Sequence, residues 1–231
     1  ILGPLAEQQF RRALAISQGD YTVFFTRPLS LTLMIVAALA LLVPIALDLL
    51  AKALIDPGDP IVTENPSYLG ALQAFRLFQA SYWTVDMDDE GAVPADLEPL
   101  LARSPKFAYI LPTFQNPTGR TMGQARREAV AELFERYQVP LVEDDPYGSL
   151  TFGARSGSTL RSLAPSVSMH LGTFSKILAP GLRLGWVIGP KAWVARLAQV
   201  KQSADLHTST LSQHVALEVD DLPGLGAQPL T

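Results

Sequence analysis

Short apolar runs alternate with amphipathic stretches from Pro60 to Ser203, and nothing else in the chain limits its fold as strongly. Pro60–Thr63, Ser81–Val85, Phe107–Leu111, Val139–Val142, Ser168–Gly172 and Leu184–Ile188 read as strands. Tyr68–Phe78, Pro94–Arg103, Gln124–Tyr137 and Pro190–Ser203 read as the helices between and after them. Within Gln124–Tyr137, Val130, Leu133, Phe134 and Tyr137 fall on one side, while Arg126, Arg127, Glu128, Glu132, Glu135 and Arg136 fall on the other. That pattern predicts a buried stripe and a charged, solvated face. Strand followed by helix, repeated, predicts an α/β fold: a mainly parallel sheet flanked by helices.

Ligands of such sheets bind beyond the carboxyl ends of the strands. The loops leaving three predicted strands carry Asn116, Asp144 with Tyr147, and Lys176. Lys176 stands among small and hydroxylated residues, and Arg183 follows it seven positions later, past a Pro-Gly turn. A flexible amine beside hydroxyls and a guanidinium suits a ligand with both an aldehyde and a phosphate: lysine forms the imine, and the cation and hydroxyls hold the dianion. Pyridoxal 5′-phosphate is such a ligand. Its site also needs an acid at the pyridine nitrogen, donors for the phenolic oxygen and an aromatic side chain over the ring. Asp144 supplies the acid, Tyr147 and Asn116 the donors, Tyr68 the stacking ring, and Thr173, Ser175 and Arg183 the phosphate ligands. Each residue also has an ordinary reading. Asn116-Pro117-Thr118-Gly119 is a common turn, Asp144-Asp145 can end a strand, Tyr68 can open a helix, and Arg183 can pair on the surface. Their joint occurrence, in this order and on these loops, favours the site.

Composition removes several classes. The 231 residues suffice for one large domain. A net charge of −4 without a basic cluster excludes an electrostatic nucleic-acid binder. The chain has no cysteine, so thiolate catalysis, disulfides and cysteine-ligated metals are excluded. His170, His207 and His214 are too scattered to suggest a metal site and read as core or surface histidines. Residues 5–18 read as an amphipathic helix with Leu5, Phe10, Leu14 and Ile16 apolar; it lacks a start signal, as if something precedes it. No cleavable signal peptide is visible, and a cytoplasmic location is expected. From Pro28 to Leu47 no residue is charged, a length sufficient to span a bilayer. Pro44 breaks the run, and it flows into an amphipathic segment closed by a Pro-Gly turn, so a packed segment is favoured over a membrane span.

Five motifs together carry a family likeness. They are Asp56-Pro57-Gly58-Asp59, Glu64-Asn65-Pro66-Ser67-Tyr68, Pro112-Thr113-Phe114-Gln115-Asn116-Pro117-Thr118-Gly119, Glu143-Asp144-Asp145-Pro146-Tyr147-Gly148, and the lysine segment through Gly185-Trp186. On them the chain resembles the fold-type I pyridoxal-phosphate aminotransferases of class I/II. It looks most like the branch with 2-aminoadipate and kynurenine aminotransferases and the aminotransferase-like domains of MocR-type regulators. The likeness covers about residues 46–218. It implies a Schiff-base role for Lys176, the pyridine partner in Asp144, amino acid and 2-oxo acid substrates, and a homodimer. Two departures stand out. Where the family places a Gly-Ser-Gln-Gln-like phosphate turn, this chain reads Leu42-Val43-Pro44-Ile45. The family's small C-terminal domain, with its carboxylate-binding arginine, is largely absent. The expected organisation is an atypical segment 1–45, a cofactor-binding large domain 46–218 and an irregular tail 219–231. These departures predict a truncated or frame-disrupted gene product. The expected alternatives to an active enzyme are a catalytically impaired, cofactor-binding remnant and the sensor part of a regulator.

Overall fold

The computed structural model describes residues 45–150, 157–205 and 207–220. The expected helix at 5–18, the charge-free run up to residue 44 and the tail from 221 lie outside the described residues. Among the described residues no helix is long and apolar enough to cross a membrane.

Six strands form the main sheet: β1 (Pro60–Glu64), β2 (Ser81–Val85), β5 (Phe107–Ile110), β6 (Leu141–Asp144), β7 (Ser168–Thr173) and β8 (Gly185–Ile188), in the order β2-β1-β5-β6-β7-β8. Neighbours from β2 through β7 are parallel, and β8 closes the order antiparallel to β7. A small antiparallel pair, β3 (Met87–Asp88) and β4 (Gly91–Ala92), stands apart. The helices are α1 (Ile45–Leu54), α2 (Leu69–Leu77), α3 (Pro94–Leu101), α4 (Gln124–Tyr137), α5 (Leu160–Leu163), α6 (Phe174–Ile177), α7 (Lys191–Ala204) and α8 (Thr210–Asp220).

Alternate strand residues point to opposite faces, and each face builds its own core. On one face Val62, Ala108, Ile110 and Leu141 pack with Leu97 and Leu101 of α3, Val130 and Phe134 of α4, and Leu160 of α5. On the other, Ile61, Phe107, Tyr109, Val142, Met169 and Leu171 meet Leu50 of α1, Ala71 and Phe75 of α2, and Leu197 of α7. The connection from β1 runs to β2 on one side, whereas β5 leads to β6 on the other. This reversal opens a crevice beyond the carboxyl ends of β1 and β5, the place where open α/β sheets bind ligands.

The structure departs from expectation in three places. Strand β6 is Leu141–Asp144 rather than Val139–Val142. Two acidic residues are tolerated in a central strand because the Glu143 carboxylate accepts the Leu160 and Arg161 N–H groups, both at 2.9 Å, and lies 3.0 Å from His170 Nδ1. Burial opposes charge on the His170 ring, but Glu143 and the neighbouring acids outweigh it and move the imidazole pKa up. Second, α5 and α6 each last one turn, too short for apolar periodicity to show. Threonine hydroxyls cap both: Thr159 accepts from Ser162 N–H and Thr173 from Ser175 N–H. Third, Arg127 does not share the solvated face of α4. It is buried, because its guanidinium finds several acceptors at the base of the loop after β5.

Candidate active site

Two loops leave the crevice at β1 and β5, and buried polar side chains hold them together. Glu64 ends β1 only 1% exposed; its Oε2 accepts the Leu111 N–H at 3.0 Å and a Gln115 Nε2 hydrogen at 3.4 Å. Gln115 Nε2 also donates to Pro66 O at 2.8 Å, and its Oε1 accepts from Thr118 N and Oγ1 at 3.0 and 2.6 Å. The loop with Tyr68 is thereby tied to the loop with Asn116. Burial pushes the Glu64 carboxyl up to about 8, against the pull of the Leu111 and Gln115 donors. Its Oε1 has no partner among the described residues. Gly119 closes the second loop at φ +73°, a conformation that favours glycine. Arg127 fixes where that loop begins: Nη2 donates to Pro112 O at 3.0 Å and to Thr113 Oγ1 at 2.8 Å, and Nε to Met122 O at 2.9 Å.

Asp144 lies at the carboxyl end of β6, on the face of Tyr109. Parallel register sets Tyr109 opposite Val142, so Asp144 stands two residues further along the neighbouring strand. The Tyr109 hydroxyl donates to Asp144 Oδ2. Burial pushes the Asp144 carboxyl up to about 6; the Tyr109 hydrogen bond works against that, and Asp145 adds to it. The Tyr109 hydroxyl is held well above the ordinary tyrosine range by its complete burial and by Asp144, so it remains a donor.

Tyr68 precedes α2 with extended backbone, and no side-chain cap engages it. A Cβ at Gly70 would lie 2.6 Å from the Tyr68 ring, so any larger residue there would push the hydroxyl end of that ring aside. Burial raises the Tyr68 hydroxyl pKa first, and the nearby Asp144 and Tyr147 raise it further. Tyr147 and Asn116 line one open depression of about 550 Å³ together with Phe114, Gln115 and Leu150. The exposed amine of Lys176, on α6, stands 5.8 Å from the centroid of the Tyr147 ring.

Tyr68, Asp144, Tyr147 and Lys176 are therefore neighbours, and Asn116 joins them through the depression it shares with Tyr147. Ser175 and Arg183 belong to the same segment as Lys176 but do not line that depression. Arg183 has left-handed backbone at φ +57°, uncommon for a residue other than glycine. Partial burial lowers its guanidinium pKa. Thr173, expected as a phosphate ligand, has its hydroxyl bonded within its own turn: it donates to Leu184 O at 3.2 Å and accepts from Ser175 N–H at 3.1 Å. Its one proton serves the turn. The sequence assigns Tyr109, Glu64, Gln115 and Arg127 no role in the site, although Glu64 and Gln115 stand in the motifs that carry the family likeness.

Comparison with known proteins shows the family. The family profile described as aminotransferase class I and II matches residues 45–221. An aromatic-amino-acid aminotransferase of Thermococcus litoralis is 42% identical over 178 residues, covering 74% of this chain and 43% of that protein. A 2-aminoadipate transaminase of Thermus thermophilus is 41% identical over 180 residues, covering 75% and 45%. A crystal structure of Pyrococcus horikoshii kynurenine aminotransferase, in complex with PMP, superposes with a TM-score of 0.73 at 41% identity, covering 78% of this chain and 46% of that one. The chain thus spans somewhat under half the length of these relatives.

Proposed function

The chain belongs to the class I and II aminotransferases, and on that premise we propose that its described part forms a pyridoxal 5′-phosphate site for moving an amino group between an amino acid and a 2-oxo acid. The observation that carries this reading is the meeting of an amine and a buried carboxylate around Tyr147 and Tyr68, at the carboxyl end of the sheet. The donor set fits the cofactor's chemistry. Among the described residues the Lys176 amine, the Asn116 amide, the Tyr68 and Tyr147 hydroxyls and the Arg183 guanidinium make no hydrogen bond within the protein, and all remain open to a ligand.

When bound, pyridoxal phosphate supplies the electron sink that makes an amino acid's α-proton removable. Lys176 would hold the cofactor through its aldehyde, and with its amine free it would serve as the base for the amino acid's α-proton, so that one residue is both anchor and base. Asp144 pairs with the pyridine N–H and holds its positive charge. Tyr68 would pack on the ring, Tyr147 and Asn116 would donate to the phenolic oxygen, and Ser175 and Arg183, with Thr173 beside them, would hold the phosphate. Thr173 keeps the Ser175 turn in shape. A homodimer, supported by the family likeness, and a cytoplasmic location accompany this reading; sedimentation velocity and cell fractionation test them.

The decisive experiment adds pyridoxal phosphate to the purified protein and records the visible spectrum. A new band should appear and should vanish in Lys176→Ala. Without such a band the cofactor assignment fails. An aromatic amino acid, 2-aminoadipate or kynurenine, each paired with a 2-oxo acid, should then exchange amino groups. A Lys176-dependent band without exchange would refute the transfer activity of this chain.

A further inference from the structure

We propose that Tyr109 is a positioning residue of the cofactor site, holding the Asp144 carboxylate through Oδ2 so that it meets the pyridine nitrogen ionised and in one orientation. This rests on the site proposed above and names a residue outside the phosphate, ring and amine contacts.

The argument begins with the strands. Tyr109 sits in the centre of the sheet, completely buried, between β1 and β6. Phe75 packs edge-on against its ring with centroids 5.5 Å apart, which removes freedom to swing away. The hydroxyl therefore reaches Asp144 from a fixed base. A hydrogen bond donated to a carboxylate favours the charged form. That preference matters here, because most of the surroundings favour the neutral acid. Glu143, before it on β6, and Asp145, just past the strand's end, flank Asp144; Tyr68 faces it from the loop after β1, and Glu64 at the end of β1 acts on Tyr109. His170, on β7, is the one positive partner among the groups facing it. Tyr109 also engages a single carboxylate oxygen, which fixes the plane of the group and leaves Oδ1 free of it. A neutral or rotated acid would pair poorly with a pyridine N–H.

The test uses the full chain without cofactor. The infrared band of the protonated Asp144 carboxyl, identified as the one that Asp144→Asn removes, is titrated against pH. In Tyr109→Phe the midpoint should move up by about 1–2 pH units, the size of a hydrogen bond to a charged group. Replacing Tyr109 with 3-fluorotyrosine keeps the shape and makes a stronger donor, so the midpoint should move down. With cofactor present, Tyr109→Phe should weaken pyridoxal phosphate binding about tenfold or more. In an Asp144→Asn background the same change should have little further effect. An unmoved midpoint in both Tyr109 variants, or equal losses in the two backgrounds, overturns the proposal. A parent protein that binds no cofactor defeats the reading of the site instead, and the cofactor-free titration still decides whether Tyr109 controls Asp144.

Discussion

Replacing Glu64 with glutamine should change how stability depends on pH, by an amount that follows from the native environment. Glu64 is buried, and its carboxyl titrates near 8 in the native state against an ordinary 4.5. The direction of the effect follows from proton counting. Below about pH 4.5 the carboxyl is protonated in both states and contributes nothing to the pH dependence. Between about 4.5 and 8 the unfolded chain releases the proton while the native state keeps it, so native stability falls as pH rises. Above about 8 the loss levels off. At about 1.4 kcal/mol per pH unit, the whole loss is about 3–5 kcal/mol. Glu64→Gln keeps the shape and leaves a carbonyl to accept from Leu111 N–H and Gln115 Nε2. It removes the titration. The variant and the parent should be within about 1 kcal/mol of one another at pH 5, and the variant should be about 3–5 kcal/mol more stable, relative to the parent, at pH 8. Urea unfolding at unit steps from pH 5 to pH 8 measures both. All other titrating groups cancel in the difference between the proteins. If the two stability curves run parallel over that range, Glu64 is not held neutral and the reasoning fails.

Two further outcomes are expected. Arg127→Met strands Pro112 O, Thr113 Oγ1 and Met122 O in the interior, so it should cost about 3–5 kcal/mol in chemical unfolding; Arg127→Lys should recover little, since an ammonium cannot serve the same fork, and a loss below about 1 kcal/mol for the methionine would contradict the burial argument. Gly172→Ala places a Cβ 2.3 Å from the Trp186 indole, which must move; the expected cost is about 1–3 kcal/mol, with a shift in Trp186 fluorescence, and an unchanged spectrum with unchanged stability would show that the ring does not pack there.

The candidate cofactor residues read from sequence follow predicted strands, and they gather because a parallel sheet delivers its strands' carboxyl ends to one edge. Asn116, Asp144, Tyr147 and Lys176 were placed by that rule. The supporting residues answer to no such rule. Glu64 and Gln115 look like ordinary loop-flanking polar residues, and Arg127 sits on α4 beside Glu128, Glu132 and Arg136, which are exposed. Its burial depends on acceptors contributed by the loop after β5 and by Ser158, which are distant in sequence. Thr173 is the complementary case: a hydroxyl in a Ser/Thr-rich loop reads as a ligand, and in this structure the backbone of its own turn engages it.

The alternation of apolar runs and amphipathic segments determined the α/β class, the span of α4 and the loops that carry the chemistry, since those follow from local periodicity and from turn composition. Strand order, the antiparallel setting of β8, the Tyr109–Asp144 contact and the burial of Glu64 and Arg127 were decided only by the tertiary structure. They depend on which distant segments become neighbours, and there the removal of water sets the pKa of a carboxyl and the partner of a guanidinium.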